Sequence, residues 1–353
     1  LLQASAGNGK TYVAKQIAKK LMEKGYGVKI IAPTNKAGLN IGGSTIHKFL
    51  KIDKEGNISS KLLKIIKEKY QYIIIDEISM IGKELWKRIN LLKINSNIKF
   101  LLLGDEKQCP PVENEDIEDY FNHPAVKSIC NYNRNVLDVR KRYDEKLYNI
   151  LEDVNNIKID YAHAIKEPLT ERNICYYNKT RKRINKYWND KKKNDKDLFI
   201  PADEENDKTQ DMYIYEGLPV IAMKTKHDGD NILFANSETF NVGNIDNEYI
   251  SLCCERPDEN GEKEMYIYDC LIEDFRDYFL LNYCSTTHKS QGETITEEYT
   301  IYDWDGMTTK IKYTALSRAV IGLSGAPCPP FDLIALVNWL FELVQLTIRE
   351  ESI

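Results

Sequence analysis

The sequence has little of what marks several large protein classes. Of its 353 residues only five are histidine, and its eight cysteines include no Cys-x-x-Cys pair. The adjacent Cys253 and Cys254 stand too close for ordinary zinc-ligand spacing. Nothing here suggests a structural zinc site, and reduced thiols in a reducing compartment, cytoplasmic or nuclear, are the expectation. No signal-peptide pattern opens the chain, which starts at Leu1 without a methionine. Long hydrophobic runs are missing too. The most apolar stretch, Phe331 to Ile348, is broken by Asp332, Asn338, Glu342 and Gln345, a poor membrane span. Nor is there an excess of positive charge: with a net charge of -5, any nucleic-acid surface must be a local patch.

What remains is a mixture of 42% hydrophobic and 29% charged residues, the balance of a folded globular chain. Its length suggests two or three domains. From the start to about residue 130, short apolar runs (VKIIAP, YIIIDE, FLLLGD) alternate with helix-like segments, which indicates an α/β fold with a parallel sheet. The stretch Lys51 to Ser60, with a turn at Gly56, reads either as a small hairpin or as a plain surface loop. A second α/β region begins near Leu137 and includes NICYYN as a buried strand. Between residues 211 and 272 several short β-prone runs are broken by turns, the spacing of a small inserted barrel. The α/β character returns from Tyr278 to Leu323, before the composition shifts to GAPCPP and the apolar tail.

Three segments carry chemistry. ASAGNGKT, from Ala4 to Thr11, matches the phosphate-binding P-loop except that Ala4 replaces its first glycine. Gly7, Asn8 and Gly9 would present backbone N–H groups to phosphates, Lys10 would hold the β- and γ-phosphates, and Thr11 would ligate magnesium. YIIIDEISM ends a strand with Asp76, suited to magnesium, and Glu77, suited to deprotonating an attacking water. Standing alone, such an acidic pair is more often a solvated strand end. LLLGDEKQCPPV ends a third strand at Gly104 and Asp105; Gln108, stiffened by Pro110 and Pro111, is placed to sense a γ-phosphate unless the segment is an ordinary turn.

Two further blocks, NYCSTTHKSQGET (Asn282 to Thr294) and YTALSRA (Tyr313 to Ala319), complete a pattern. Together with APTNKAG and GGSTIHKFL, the set resembles a superfamily 1 DNA helicase of the 5′→3′ branch, RecD- and Dda-like, over roughly residues 1 to 320. That resemblance implies two RecA-like domains, with ATP and magnesium between them and single-stranded DNA or DNA junctions as substrate. Domain 1A would span 1–131 with the hairpin at 51–60, and domain 2A would span 132–205 and 273–323. An SH3-like insert, 2B, would span 206–272, leaving an atypical tail at 324–353. Carried over residue by residue, Lys10, Glu77, Gln108, Arg142 and Arg318 become catalytic, with Arg140 the alternative to Arg142. Gly292 joins the nucleotide contacts. Thr34, Thr45, His47, Thr286, His288, Lys289 and Gln291 face DNA. Other replication or repair proteins are the implied protein partners.

Local charge adds to this. The stretch from Asn178 to Lys196 holds nine basic residues against two acidic ones, either a track for phosphates or a solvated helix face. Within it Trp188 could stack on a base, although a tryptophan near a domain edge is more often packed. Ser237 stands where the insert of the family usually has a glycine, so its turn is expected to differ. The abrupt start before the P-loop suggests a piece of a longer gene product. The tail reads as a docking helix, a self-packing helix or an altered or foreign terminus. Abundant lysine, asparagine and isoleucine hint at an AT-rich, viral genome. An RNA-directed motor and a catalytically silent nucleic-acid-binding module are the competing functions.

Overall fold

The computed structural model describes residues 1–53, 55–110, 120–137, 145–155, 168, 170–229, 231–257 and 263–319. These fall into two compact units, one of residues 1–106, 110 and 120–137, the other of 107–109 and 145–319.

In the first unit the chain runs β1 (Leu2–Gln3), α1 (Lys10–Glu23), β2 (Val28–Ala32), α2 (Asn35–Ile41), β3 (Ser44–Thr45), α3 (Ile46–Leu50) and α4 (Ser60–Lys69). It continues through β4 (Tyr72–Ile75), α5 (Lys83–Lys93), β5 (Lys99–Gly104), α6 (Pro124–Ile129) and β6 (Asn135–Val136). The strands form a six-stranded sheet in the order β3-β2-β4-β5-β1-β6, with every pairing parallel. In β4, Ile73 and Ile75 pack with Trp86, Ile89 and Phe121, whereas Tyr72 and Ile74 pack with Val13, Ile17 and Leu21 of α1. Successive strand residues point to opposite faces and both faces are covered, so a buried parallel strand reads as an unbroken apolar run. Helix α1 meets the sheet because Val13, Ala14, Ile17, Ala18 and Leu21 recur at helical spacing and are buried. Each fully buried isoleucine or leucine contributes about 1.5–3 kcal/mol.

Two expectations change in this unit. Its sheet extends past residue 131, since Asn135 N and Leu137 N donate to Leu1 O and Gln3 O at 2.8 Å each. The stretch 51–60 holds no strand among its described residues. There the Asp53 carboxylate accepts from Glu55 N at 2.9 Å and Asn57 N at 2.8 Å, a side-chain-stabilised turn that takes up amides a hairpin ladder would need. Arg88 of α5 anchors it, Nε donating to Gly56 O at 2.6 Å.

The second unit begins with α7 (Glu145–Glu152), β7 (Arg172–Cys175), α8 (Asn178–Lys192), β8 (Leu198–Ile200) and β9 (Met212–Ile214). It continues with β10 (Pro219–Ala222), β11 (Lys226–Asp228), β12 (Asn231–Phe234), β13 (Thr239–Ile245), β14 (Tyr249–Pro257) and β15 (Lys263–Leu271). Then follow α9 (Ile272–Tyr278), β16 (Phe279–Leu281), β17 (Cys284–Thr286), α10 (Thr287–Ser290), β18 (Tyr299–Ile301) and α11 (Thr309–Leu316). A parallel sheet, β17-β7-β18, carries the α/β part, and an antiparallel sheet, β15-β14-β13-β10-β16, carries most of the insert. Because β16 belongs to that sheet, the insert reaches past the expected limit at 272. One core spans both parts, joining Cys175, Ile184 and Trp188 to Val220, Phe240 and Phe279. Trp188 is thus packed, which removes the base-stacking alternative. Ser237 takes the left-handed conformation at φ 66° that a glycine would take, and the turn closes with Glu238 N donating to Ala235 O at 3.0 Å.

Candidate active site

The parallel sheet of the first unit gathers its polar residues at the carboxyl ends of its strands, the edge where open α/β sheets bind ligands. The loop after β1 leads into α1 through Gly7 at φ 77° and Gly9 at φ 81°. A left-handed backbone costs other residues roughly 1–2 kcal/mol. A Cβ at Gly9 would meet nothing within 4 Å, so that side of the loop is open to a ligand. Asn8 Nδ2 donates to Leu137 O at 3.2 Å and ties the loop to the chain beyond β6. The buried Lys10 ammonium donates to Ala4 O at 2.6 Å and Ser5 O at 3.1 Å, holding a positive charge inside the turn of the loop.

Thr11 Oγ1 donates to Asp76 Oδ2 at 2.9 Å. Burial pushes the Asp76 carboxyl above its ordinary value, opposed by the Glu77 N–H, the Thr11 hydroxyl and the charge of Lys10. A hydroxyl and a carboxylate side by side are hard oxygen donors, and this pair fits a magnesium ion. Glu77 follows in the left-handed region at φ 51°, its amide donating to Asp76 Oδ1 at 2.8 Å. Next to them, Thr34 Oγ1 accepts from Ala37 N at 3.2 Å and Thr45 Oγ1 accepts from Lys48 N at 3.1 Å, each capping a helix. A hydroxyl that accepts in this way keeps its own proton to donate to a phosphate oxygen. His47 stands exposed in the first turn of α3.

The other expected residues belong to the second unit. Gln108 is buried there, and its Oε1 accepts from Gln291 Nε2 at 3.2 Å. Gln291, expected to face DNA, is therefore turned inward onto Gln108. Gly292 follows at φ 79°. Thr286 stands at the N-cap position of α10 without a side-chain capping bond and is partly exposed, as are His288 and Lys289; burial lowers the His288 pKa. Arg318 is 2% exposed, its Nε donating to Thr314 O at 3.0 Å and its guanidinium also reaching Ser317 Oγ at 2.8 Å and Glu293 O at 3.4 Å. Arg142 and its alternative Arg140 lie outside the described residues.

Sequence reasoning missed three residues that hold this arrangement. Thr314 accepts from the Cys109 amide, next to Gln108, and from Arg318 Nε, and its place inside YTALSRA is the only signal for it. Arg172 and Glu293 form a buried ion pair at 2.6 Å, with Arg172 also donating to Asn282 O at 2.7 Å. Glu293 lies inside NYCSTTHKSQGET, but nothing local pairs it with Arg172, since the two stand far apart in the chain. The basic stretch in α8 is mostly exposed, but Arg181 is turned inward onto Asn178 Oδ1 and Lys208 O.

Comparison with known proteins gives this geometry a context. Residues 1–127 match the AAA domain family. The ATP-dependent DNA helicase PIF1 of Candida albicans is 29% identical over 182 residues, covering 43% of this chain and 20% of that protein. The ATP-dependent RecD2 DNA helicase of Deinococcus radiodurans is 31% identical over 119 residues, 32% of this chain and 16% of that protein. The chain therefore matches only a minor part of either relative's length. A solved structure of Bacteroides Pif1 bound to ssDNA superposes with a TM-score of 0.60 at 18% identity, covering 96% of this chain and 92% of the other. The fold is shared, and the matches bear out the resemblance to superfamily 1 helicases of the 5′→3′ branch, RecD/Pif1-like.

Proposed function

We propose, from this similarity to RecD- and Pif1-like helicases, that the chain is an ATP- and magnesium-dependent translocase on single-stranded DNA. It moves 5′→3′, with unwinding of DNA or its junctions as the output. The observation that carries this reading is the hydrogen bond from Thr11 to Asp76 beneath the Gly7–Lys10 loop, with Glu77 beside it. Phosphate cradle, metal donors and base stand together at one sheet edge.

In the proposed mechanism the loop amides and Lys10 hold the β- and γ-phosphates of ATP, and Glu77 takes the proton of the attacking water. Thr11 and Asp76 would hold a magnesium ion, which would supply charge neutralisation for the phosphates. Arg318 and Arg142 stabilise charge that develops on the transferred phosphoryl group, and Gln108 senses whether it is present. Gly292 contributes to the nucleotide site. Thr34, Thr45, His47, Thr286, His288 and Lys289 hold the strand through its phosphates, without reading sequence, while Gln291, turned onto Gln108, supports the γ-phosphate sensor instead. The two units correspond to RecA-like domains 1A and 2A, and the antiparallel sheet of the insert supports its reading as an SH3-like 2B guide for the strand. Partners in replication or repair, a reducing cytoplasmic or nuclear setting and a viral origin complete the proposal. Among the described residues all cysteines are free thiols, in keeping with that setting.

The relatives are named as DNA helicases, which favours DNA over RNA as the substrate. ATP hydrolysis measured with and without single-stranded DNA tests the reading. Stimulation is expected, with a fall of at least about a hundredfold in Lys10→Ala and Glu77→Gln. Stimulation by RNA alone, or strand binding without turnover at saturating ATP, would select one of the two competing functions.

A further inference from the structure

The second unit contains a residue whose two polar groups serve the loop of Gln108 and the side chain of Arg318 at once. Thr314, in α11, is fully buried. Its hydroxyl accepts from Cys109 N at 3.0 Å and donates to Lys310 O at 2.8 Å, so both its hydrogen-bonding roles are filled. Cys109 follows Gln108 directly and is itself fully buried, leaving its amide no solvent to turn to. The carbonyl of the same threonine accepts from Arg318 Nε at 3.0 Å and from Ser317 Oγ at 3.0 Å, and Ser317 Oγ in turn accepts from Arg318 NH2 at 2.8 Å. One residue thus seats the Gln108 loop through its side chain and the guanidinium through its backbone.

We propose that Thr314 is a positioning residue that fixes Gln108 and Arg318 in one register, so that neither moves without the other. This rests on the reading of those two as the groups that meet the γ-phosphate. Thr314 itself touches no reacting atom. It acts by sparing the buried Cys109 amide the alternative of an unmade hydrogen bond, the situation in which a single hydroxyl has most leverage over a loop. Valine has nearly the same shape but cannot accept from that amide, whereas serine can.

The test uses the full chain with Thr314→Val and Thr314→Ser, ATP and a single-stranded oligonucleotide. Thr314→Val should lower the kcat of DNA-stimulated hydrolysis by about ten- to a hundredfold, the scale of a small displacement of a group that acts on the reacting phosphate. The KM for ATP should stay within about twofold, because the P-loop contacts are not altered. Thr314→Ser should restore most of the lost kcat. Amide hydrogen exchange at Cys109 should speed up in the valine variant and return towards the parent rate in the serine variant. Parent-like kcat in Thr314→Val, or equal losses in valine and serine, would overturn the proposal. If valine disturbs the packing, seen as a lost thermal transition, Thr314→Ala repeats the comparison with serine under the same criteria. Absence of any DNA-stimulated turnover in the parent chain would count against the motor reading instead, and unchanged Cys109 exchange would still overturn the role of Thr314.

Discussion

Gly104 shows how a single residue can matter for want of a side chain. It ends β5 beside the acidic turn, and a Cβ there would come within 2.5 Å of Ile78 Cγ1 and 2.7 Å of Phe121 Cζ. Contacts that short force neighbours to move, so Gly104→Ala should destabilise the chain by about 1–3 kcal/mol, the usual range for overpacking. Urea denaturation would check this, and a parent-like midpoint would contradict it. Glu77 is a second such position. Its left-handed backbone is the kind of local strain that structures keep where a side chain must be aimed. Both residues were legible as members of a strand-end motif, but the close approach of Phe121 and the turn of Glu77 were not. They depend on atoms brought in from elsewhere in the chain or on backbone angles that no residue name specifies.

Among the elements, the buried Arg172–Glu293 pair links the start of β7 to the segment between α10 and β18. Arg172 also reaches Asn282 O just before β17, so one guanidinium ties three pieces of the second unit together. Removing either partner leaves a buried charge uncompensated, which typically costs about 3–5 kcal/mol. Arg172→Met and Glu293→Gln should each lower the denaturation midpoint markedly, while the double variant should lose less than the two single losses combined. Additive losses in that cycle would show that the two residues do not act as a pair. Because Glu293 O also accepts from Arg318, the single variants should slow the proposed DNA-stimulated hydrolysis as well. Elements themselves were read well where burial was two-sided, as in YIIIDE and NICYYN. At 51–60, where the sequence left a hairpin and a plain loop open, Asp53 supplies from its side chain the acceptors that a paired strand would have supplied, and the described residues form a turn.

At the scale of the whole molecule, stability should respond to pH through the second unit. Burial lowers the pKa of His288 below its ordinary 6.5, so the folded state resists the proton that the unfolded chain accepts. The stability this confers is complete above pH 6.5 and is lost as pH falls from there through the lowered value. Burial raises the Cys254 and Cys270 thiols from 9.0 to about 12, with the charge of Glu238 adding to the shift at Cys254. Their share of stability is complete below pH 9.0 and is lost as pH rises towards about 12. Denaturant titrations from pH 5 to 11 should therefore show a His288-dependent loss below about pH 6.5 and a thiol-dependent loss above about pH 9. His288→Gln should flatten the acid limb, and an unchanged limb would place its origin elsewhere.

The order of the blocks from ASAGNGKT to YTALSRA was enough to indicate the α/β class, the phosphate loop, the acidic pair and the branch of helicases that the comparisons bear out. Those features are local, set by side-chain period, by glycine at left-handed positions and by charge at strand ends, and such information lies within a few residues of itself. Tertiary structure alone decided that Trp188 is packed, that Gln291 turns onto Gln108 and that Arg172 meets Glu293. It also decided that Thr314 holds both the Gln108 loop and Arg318. Apart from the short link between Thr314 and Arg318, these join atoms far apart along the chain, and the hydrogen bonds among them form only once burial has removed the water that would otherwise satisfy them.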